Sequence, residues 1–285
     1  MKTFRNFINE KLNYNEITEQ SFLELLDKNC KKYILKFEDE NGEYLEYTDI
    51  FRKSDYIGDY LYINPKSSSD NRIAPFAGHN YYNLFLSNTD SWKKWPRRNK
   101  SLCCASENRA AGHSGGNTLY VVIPYDDTKI GISSRSDFWD SFERLGNKTN
   151  PIAYWFAGLM YELDNMNSPL SMSDWYKVEK TDQYNWIELK SLLESVTPTE
   201  KIKKSFFNRG GYVYDDNYSL LINMDRFFEP RVNGFKLLDS IQTLKKFSKI
   251  NPEEASEAKE CWMEDPVLCI KSDLYMKTFE KMNKD

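Results

Sequence analysis

Histidine occurs only twice in the 285 residues, as His79 and His113, and the five cysteines form no Cys-x-x-Cys pair. A structural zinc site of the usual Cys/His spacing is therefore not expected. An odd set of cysteines (Cys30, the adjacent Cys103 and Cys104, Cys261 and Cys269) speaks for free thiols in a reducing compartment rather than a disulfide framework. Apolar runs are short. The longest, Ile152–Tyr161, falls well below the about 20 residues that span a bilayer. The opening MKTFRNFINEKL lacks the continuous apolar segment of a signal peptide. The expectation is a cytoplasmic protein with no membrane partner. Positive charge is not in excess either: 39 Lys and Arg against 43 Asp and Glu leave −4, so net charge does not indicate nucleic acid, and only a local basic patch stays open. There is no internal repeat and no low-complexity tract. The one linker-like stretch, Pro65 to Asp70 (PKSSSD), is too short to separate domains.

What the chain does have is rings: 19 Tyr, 17 Phe and 7 Trp. With 40% hydrophobic and 29% charged residues the composition is globular, and the length allows one large domain or two modest ones. Residues 16–31 show helical spacing, with Ile17, Phe22, Leu25 and Leu26 on one face. YILKF and EYLEY flank DENG, where Gly42 suits a hairpin. DIFRKS (49–54) and residues 60–63 read as strands, and 79–87 as a helix. SLCCAS (101–106) reads as a strand before the helical turn ENRAAGH. LYVVI (119–123) is the strongest strand signal, with 129–133 as its expected partner.

From Asn150-Pro151, a cap and first-turn pair, the pattern turns helical: 151–165, 185–195, 199–208 and 234–249. Strand pattern returns at 260–263 and 267–271, and a helix closes the chain at 273–283. The expected organisation is α+β: residues 1–145 supply the first strands, 146–256 form a helical insertion, and 257–285 return strands and a last helix to the same domain.

Three segments carry candidate chemistry. Phe51-Arg52 places a guanidinium in a short apolar strand, where it can grip a phosphate or carboxylate through two parallel bonds; the plainer reading is a salt-bridged arginine. KSLCCAS, followed by Ala110 and Ala111, offers small side chains to a ligand at close range; the plainer reading is tight packing. Glu260-Cys261-Trp262-Met263 opens an apolar strand with a partly desolvated carboxylate; the plainer reading is a solvated edge residue.

Taken together the three segments resemble the ADP-ribosyltransferase superfamily, whose motifs run in the same chain order: an aromatic-Arg at a strand end, a Ser-Thr-Ser strand with an Ala beyond it, and a Glu opening an apolar strand. Lys53 stands where Gly is usual, Cys103 to Ser106 hold one hydroxyl, and Ala258 replaces the first acid of Glu-x-Glu. The stretch from Arg72 to Phe142, with NYYNLFLS, SWKKWPRRNKS, VVIPYDDTKIGIS and SDFWDSF, also resembles uncharacterised phage-borne proteins.

The resemblance implies a split antiparallel β-sandwich with a helical insertion, and NAD⁺ as substrate. It implies that Glu260 stabilises the cationic sugar and Arg52 pairs with the pyrophosphate. Ser101, Cys104 or Ser106 would contact the ribose or orient Glu260, and Tyr81 and Tyr82 would wall the nicotinamide. The target would be macromolecular, with protein favoured. The alternative is a catalytically degenerate protein-binding module, an inhibitor or decoy of a host or defence protein. Weaker constellations are a Cys104 thiol with His79 or His113, the turn SGGN (114–117), the basic-aromatic cluster WKKWPRR (92–98), able to stack bases or to anchor its Trp residues in the core, and the loop NRGGYVYDDNY (208–218).

Overall fold

The computed structural model describes residues 14–34, 49–67, 77–106, 116–146, 151–164, 186–244 and 257–282. Its strands are β1 (Tyr14–Glu16), β2 (Ile50–Ser54), β3 (Tyr60–Ile63), β4 (Leu102–Ala105), β5 (Thr118–Pro124), β6 (Ile130–Ile132), β7 (Lys236–Leu238), β8 (Glu260–Met263) and β9 (Val267–Lys271). They join in one antiparallel order, β1-β3-β9-β5-β2-β4-β8-β6-β7. The principal helices are α1 (Glu19–Asn29), α2 (Lys31–Ile34), α3 (Ala77–Leu86), α4 (Pro151–Asp164), α5 (Trp186–Ser195), α6 (Glu200–Ile202, continued by a π-helical turn), α7 (Leu220–Phe227) and α8 (Ser272–Met282). The protein is therefore α+β around a large antiparallel sheet.

The sheet is narrowest between β2 and β4, which pair only through Phe51 and Ala105. That joint divides it into a half of five strands and a half of four. Both late strands enter the middle: β9 lies between β3 and β5, and β8 between β4 and β6. The pairing register aligns Tyr60, Ile270, Val121, Phe51, Ala105 and Glu260 in one row across six strands. Facing residues in a ladder share a face, and neighbours along a strand alternate. Phe22 of α1 packs on Tyr60 at 5.0 Å, and the Tyr60 hydroxyl lies 3.1 Å from that of Thr278 in α8, so these helices cover the face of that row. On the other face, Ile50, Val122 and Cys269 of one half share a buried cluster with Cys104, Met263 and Ile132 of the other.

Helix formation follows the apolar spacing and the caps. α1 starts at Thr18, whose Oγ1 accepts from the Ser21 amide at 3.1 Å, and buries Phe22 and Leu26. α4 buries Ile152, Trp155, Phe156, Leu159 and Leu163, the spacing of one helical face. These join Phe138, Phe142, Phe228, Phe235 and Trp262 in an aromatic core. The insertion is thus packed into the domain, not appended to it.

Several expectations need correction. β6 does not pair with β5; it lies between β8 and β7. Helical spacing over 234–249 gives way to β7 at Lys236–Leu238; 241–244 are helical, and 245–249 lie outside the described residues. Gly234, at φ +77, ends a turn, Phe235 packs 5.2 Å from Phe138, and the chain then pairs with the edge of β6. The segment 146–256 accordingly supplies a strand as well as helices. Tyr33 and Ile34 end the short helix α2 rather than opening a strand. The DENG hairpin, ENRAAGH and His113 lie outside the described residues. The loop before α7 is ordered by the fully buried Asn223, whose amide donates to the carbonyls of Asp215, Tyr218 and Ser219.

Candidate functional site

Glu260 opens β8. Its backbone is tied to the chain following β6, since the Ser133 amide and Oγ both donate to its carbonyl at 2.9 Å. Arg98, in the single 3-10 turn before β4, sends Nη2 to Glu260 Oε1 and Nη1 to the Cys103 sulfur. The guanidinium lies 5.0 Å from the Phe138 ring centroid and 5.2 Å from that of Trp139. The Arg98 side chain is only 4% exposed and that of Glu260 14%, so this is a desolvated ion pair. Glu260 Oε2 accepts from the Phe138 amide at 2.9 Å.

The next amide of that turn, from Trp139, donates to Oδ1 of Asp137 at 2.8 Å. Two carboxylates thus hang on successive amides of the turn Phe138–Asp140. Burial, and then the charge of Glu260, push Asp137 up to about 7, against the bond from Trp139 and the charge of Arg98. Trp139 is half-buried and meets Tyr82 edge-on at 4.5 Å. The arrangement offers a fixed anion, a second carboxyl that titrates near neutrality, and a flanking ring.

The expected site residues do not all gather here. Arg52 is 3% exposed, donates from Nη1 to the Cys103 carbonyl and lies 5.7 Å from the Tyr56 ring. It is one residue along from Phe51 and so points to the face opposite Glu260; the expected crevice between Arg52 and Glu260 is not what this register forms. Cys104 faces Cys261 on the side of Arg52. Ser101 is buried, with Oγ donating to the Arg97 carbonyl at 2.7 Å. Ser106 lies beside the start of β8, its Oγ accepting from the Lys259 amide at 3.0 Å. Tyr82 is fully buried behind Trp139, which is the ring nearer the surface. Tyr81 lies in α3, its side chain outside the described residues, as does that of His79.

Sequence reasoning missed Arg98 and Asp137. Arg98 belongs to WKKWPRR, whose Trp92 and Trp95 are anchored in the core; Trp95 stacks on Trp262 at 6.0 Å. Asp137 belongs to SDFWDSF, where an Asp ahead of a short turn is a capping signal.

All five cysteines are buried, and none is in a disulfide. Burial pushes the Cys261 and Cys269 thiols up, the wrong direction for a nucleophile. Among the described residues no three His, Cys, Asp or Glu are placed to hold a metal ion, and no helix is long and apolar enough to cross a membrane. No family model, no curated protein and no solved structure matches the chain.

Proposed function

We propose that the chain is an ADP-ribosyltransferase-like protein that cleaves the nicotinamide–ribose bond of NAD⁺ and passes the ADP-ribose to a macromolecular acceptor. One observation carries the reading. The strands with the three family-like motifs, β2 with Arg52, β4 with Cys104 and β8 with Glu260, are consecutive neighbours at the centre of the sheet. The whole insertion separates the second from the third in the chain, so their adjacency is a property of the fold and not of sequence proximity. The single-pair joint between β2 and β4, and the buried cluster shared by the two halves behind it, support a split sandwich.

Heterolysis of the glycosidic bond leaves the electron pair on nicotinamide and positive charge on the ribose. Glu260 is the anion that faces this charge. Arg98 and the Phe138 amide fix its orientation, and each carboxylate oxygen retains a second lone pair for a ribose hydroxyl. A preorganised charge of this kind is worth about 10²–10³ in rate. Arg52 takes a positioning role, clipping β4 to β2 through the Cys103 carbonyl. The reading thus moves the guanidinium beside the acid from Arg52 to Arg98. Trp139, backed by Tyr82 and beside the Arg98 guanidinium, is the ring that would flank the nicotinamide. The acceptor is a protein side chain, a nucleic acid or water.

The second reading, a degenerate binding module, is favoured by Arg52 lying on the face away from Glu260. It also draws on Ile187, Val213, Tyr218 and Ile222, exposed apolar side chains of the insertion. Incubation with adenylate-labelled NAD⁺ and a cell extract separates the two. Nicotinamide release and label transfer, lost about 10²–10³-fold in Glu260→Gln, support the enzyme. Folded wild-type protein that releases no nicotinamide, and forms a stoichiometric complex with a partner, supports the binder.

A further inference from the structure

Glu260 is not the only carboxylate of its site, and the two are held differently. Both oxygens of Glu260 are engaged, one by Arg98 and one by the Phe138 amide. Asp137 receives only the Trp139 amide on Oδ1, and its Oδ2 has no hydrogen-bond donor among the described residues. The charged groups bearing on Asp137 are Glu260 from β8, Asp140 from its own turn and Arg98 from the turn before β4. Two are negative, and the one guanidinium is bonded to Glu260 and not to Asp137. Two half-buried carboxyls this close do not both carry charge cheaply. The carboxyl without the guanidinium, Asp137, is the one that burial and its neighbour push up.

We propose that Asp137 is the proton-transfer residue of this site, working beside Glu260, which is held by Arg98 and the Phe138 amide. The assignment rests on the NAD⁺-cleaving reading above. As the acceptor's oxygen or nitrogen bonds to the ribose C1′, the bond to nicotinamide breaks and its electron pair leaves with that ring. Above its midpoint near 7 Asp137 is the deprotonated base; the acceptor's proton passes to its Oδ2 and is then released to water. Titration near neutrality suits this task, because a base is most effective when poised near the working pH. The location of Asp137 at the start of a turn supports the geometry, since its cap bond fixes the carboxyl without using Oδ2.

The test is a carboxyl ¹³C NMR titration of the full chain labelled at Asp and Glu, paired with nicotinamide release from NAD⁺ into water across pH 5 to 9. Wild type is compared with Asp137→Asn, which keeps the cap and the shape, and with Asp137→Ser, a second capping residue. One carboxyl should titrate near pH 7 and vanish in both variants. The limb of the pH–rate profile near 7 should vanish with it, and the rate should fall 10²-fold or more. A wild type whose Asp and Glu carboxyls all titrate below pH 5 overturns the assignment. So does a variant with unchanged rate and pH profile. Wild-type protein that shows the titration but releases no nicotinamide overturns the NAD⁺ reading, and with it the proton-transfer role, while leaving the shared-proton pair standing.

Discussion

Replacing Arg98 with methionine tests the site where its energetics are largest. The substitution keeps much of the apolar stem against Phe138 and Trp139 but leaves Glu260 half-buried with one neutral donor, the Phe138 amide. Removing one member of a buried pair costs about 3–5 kcal/mol, because the surviving charge is stranded out of water. The lost contact of the guanidinium with two rings adds up to about 2 kcal/mol. A loss near 4 kcal/mol is a large share of the about 5–15 kcal/mol that holds a domain. Urea unfolding followed by tryptophan fluorescence measures it through the midpoint, and an unchanged slope shows that the two-state comparison holds. The double variant Arg98→Met/Glu260→Gln should recover about 2 kcal/mol of the sum of the single losses, since no charge is then stranded. A single loss below about 1 kcal/mol, or a double variant that is merely additive, would refute the desolvated pair and make Arg98 a surface contact.

Asp137→Asn makes a distinct prediction about stability. A carboxyl raised from 3.8 to about 7 in the folded state is stabilising when protonated. Its contribution is complete below the unfolded value and is lost as pH rises from about 4 to about 7. Wild type should therefore lose about 2–4 kcal/mol over that window relative to Asp137→Asn, and the variant should melt higher at pH 8; parallel melting curves from pH 4 to 8 would contradict it. Gly131→Ala tests the packing behind Glu260. An added Cβ would lie 2.4 Å from the Trp262 ring, whose Nε1 donates to the Pro96 carbonyl at 2.9 Å. Overpacking there should cost about 1–3 kcal/mol by thermal melting, and no loss would mean that the ring moves freely.

Where the apolar pattern acts locally, the sequence was legible: α1, α3, α4, α5 and α8, and the strands β2 to β6, β8 and β9, lie close to where spacing puts them. β7 was not, because Phe235, Leu237, Leu238 and Ile241 satisfy helical spacing and strand alternation alike, and only the free edge of β6 decides. The partner of β6 is not legible, because local pattern points to its neighbour in the chain, whereas β8, far along it, lies between β4 and β6. At the site, Glu260 was legible from its place at the head of an apolar strand. Arg98 was hidden in a basic cluster, where a buried guanidinium and an exposed lysine look alike. The facing of Arg52 turned on a register of one residue, set by Phe51 against Ala105 and by no local signal.

The strand order also governs how the chain can be made. Until residues 260–271 leave the ribosome, β3 and β5 lack the strand between them, and so do β4 and β6. The nascent protein must carry raw sheet edges, bordered by aromatic side chains, until those residues emerge. Contacts this distant close slowly, and exposed edges recruit other chains. Release prematurely ended before β8 should thus yield a sticky, protease-sensitive fragment, and production of the intact protein should depend on holdase chaperones more than its size alone would suggest.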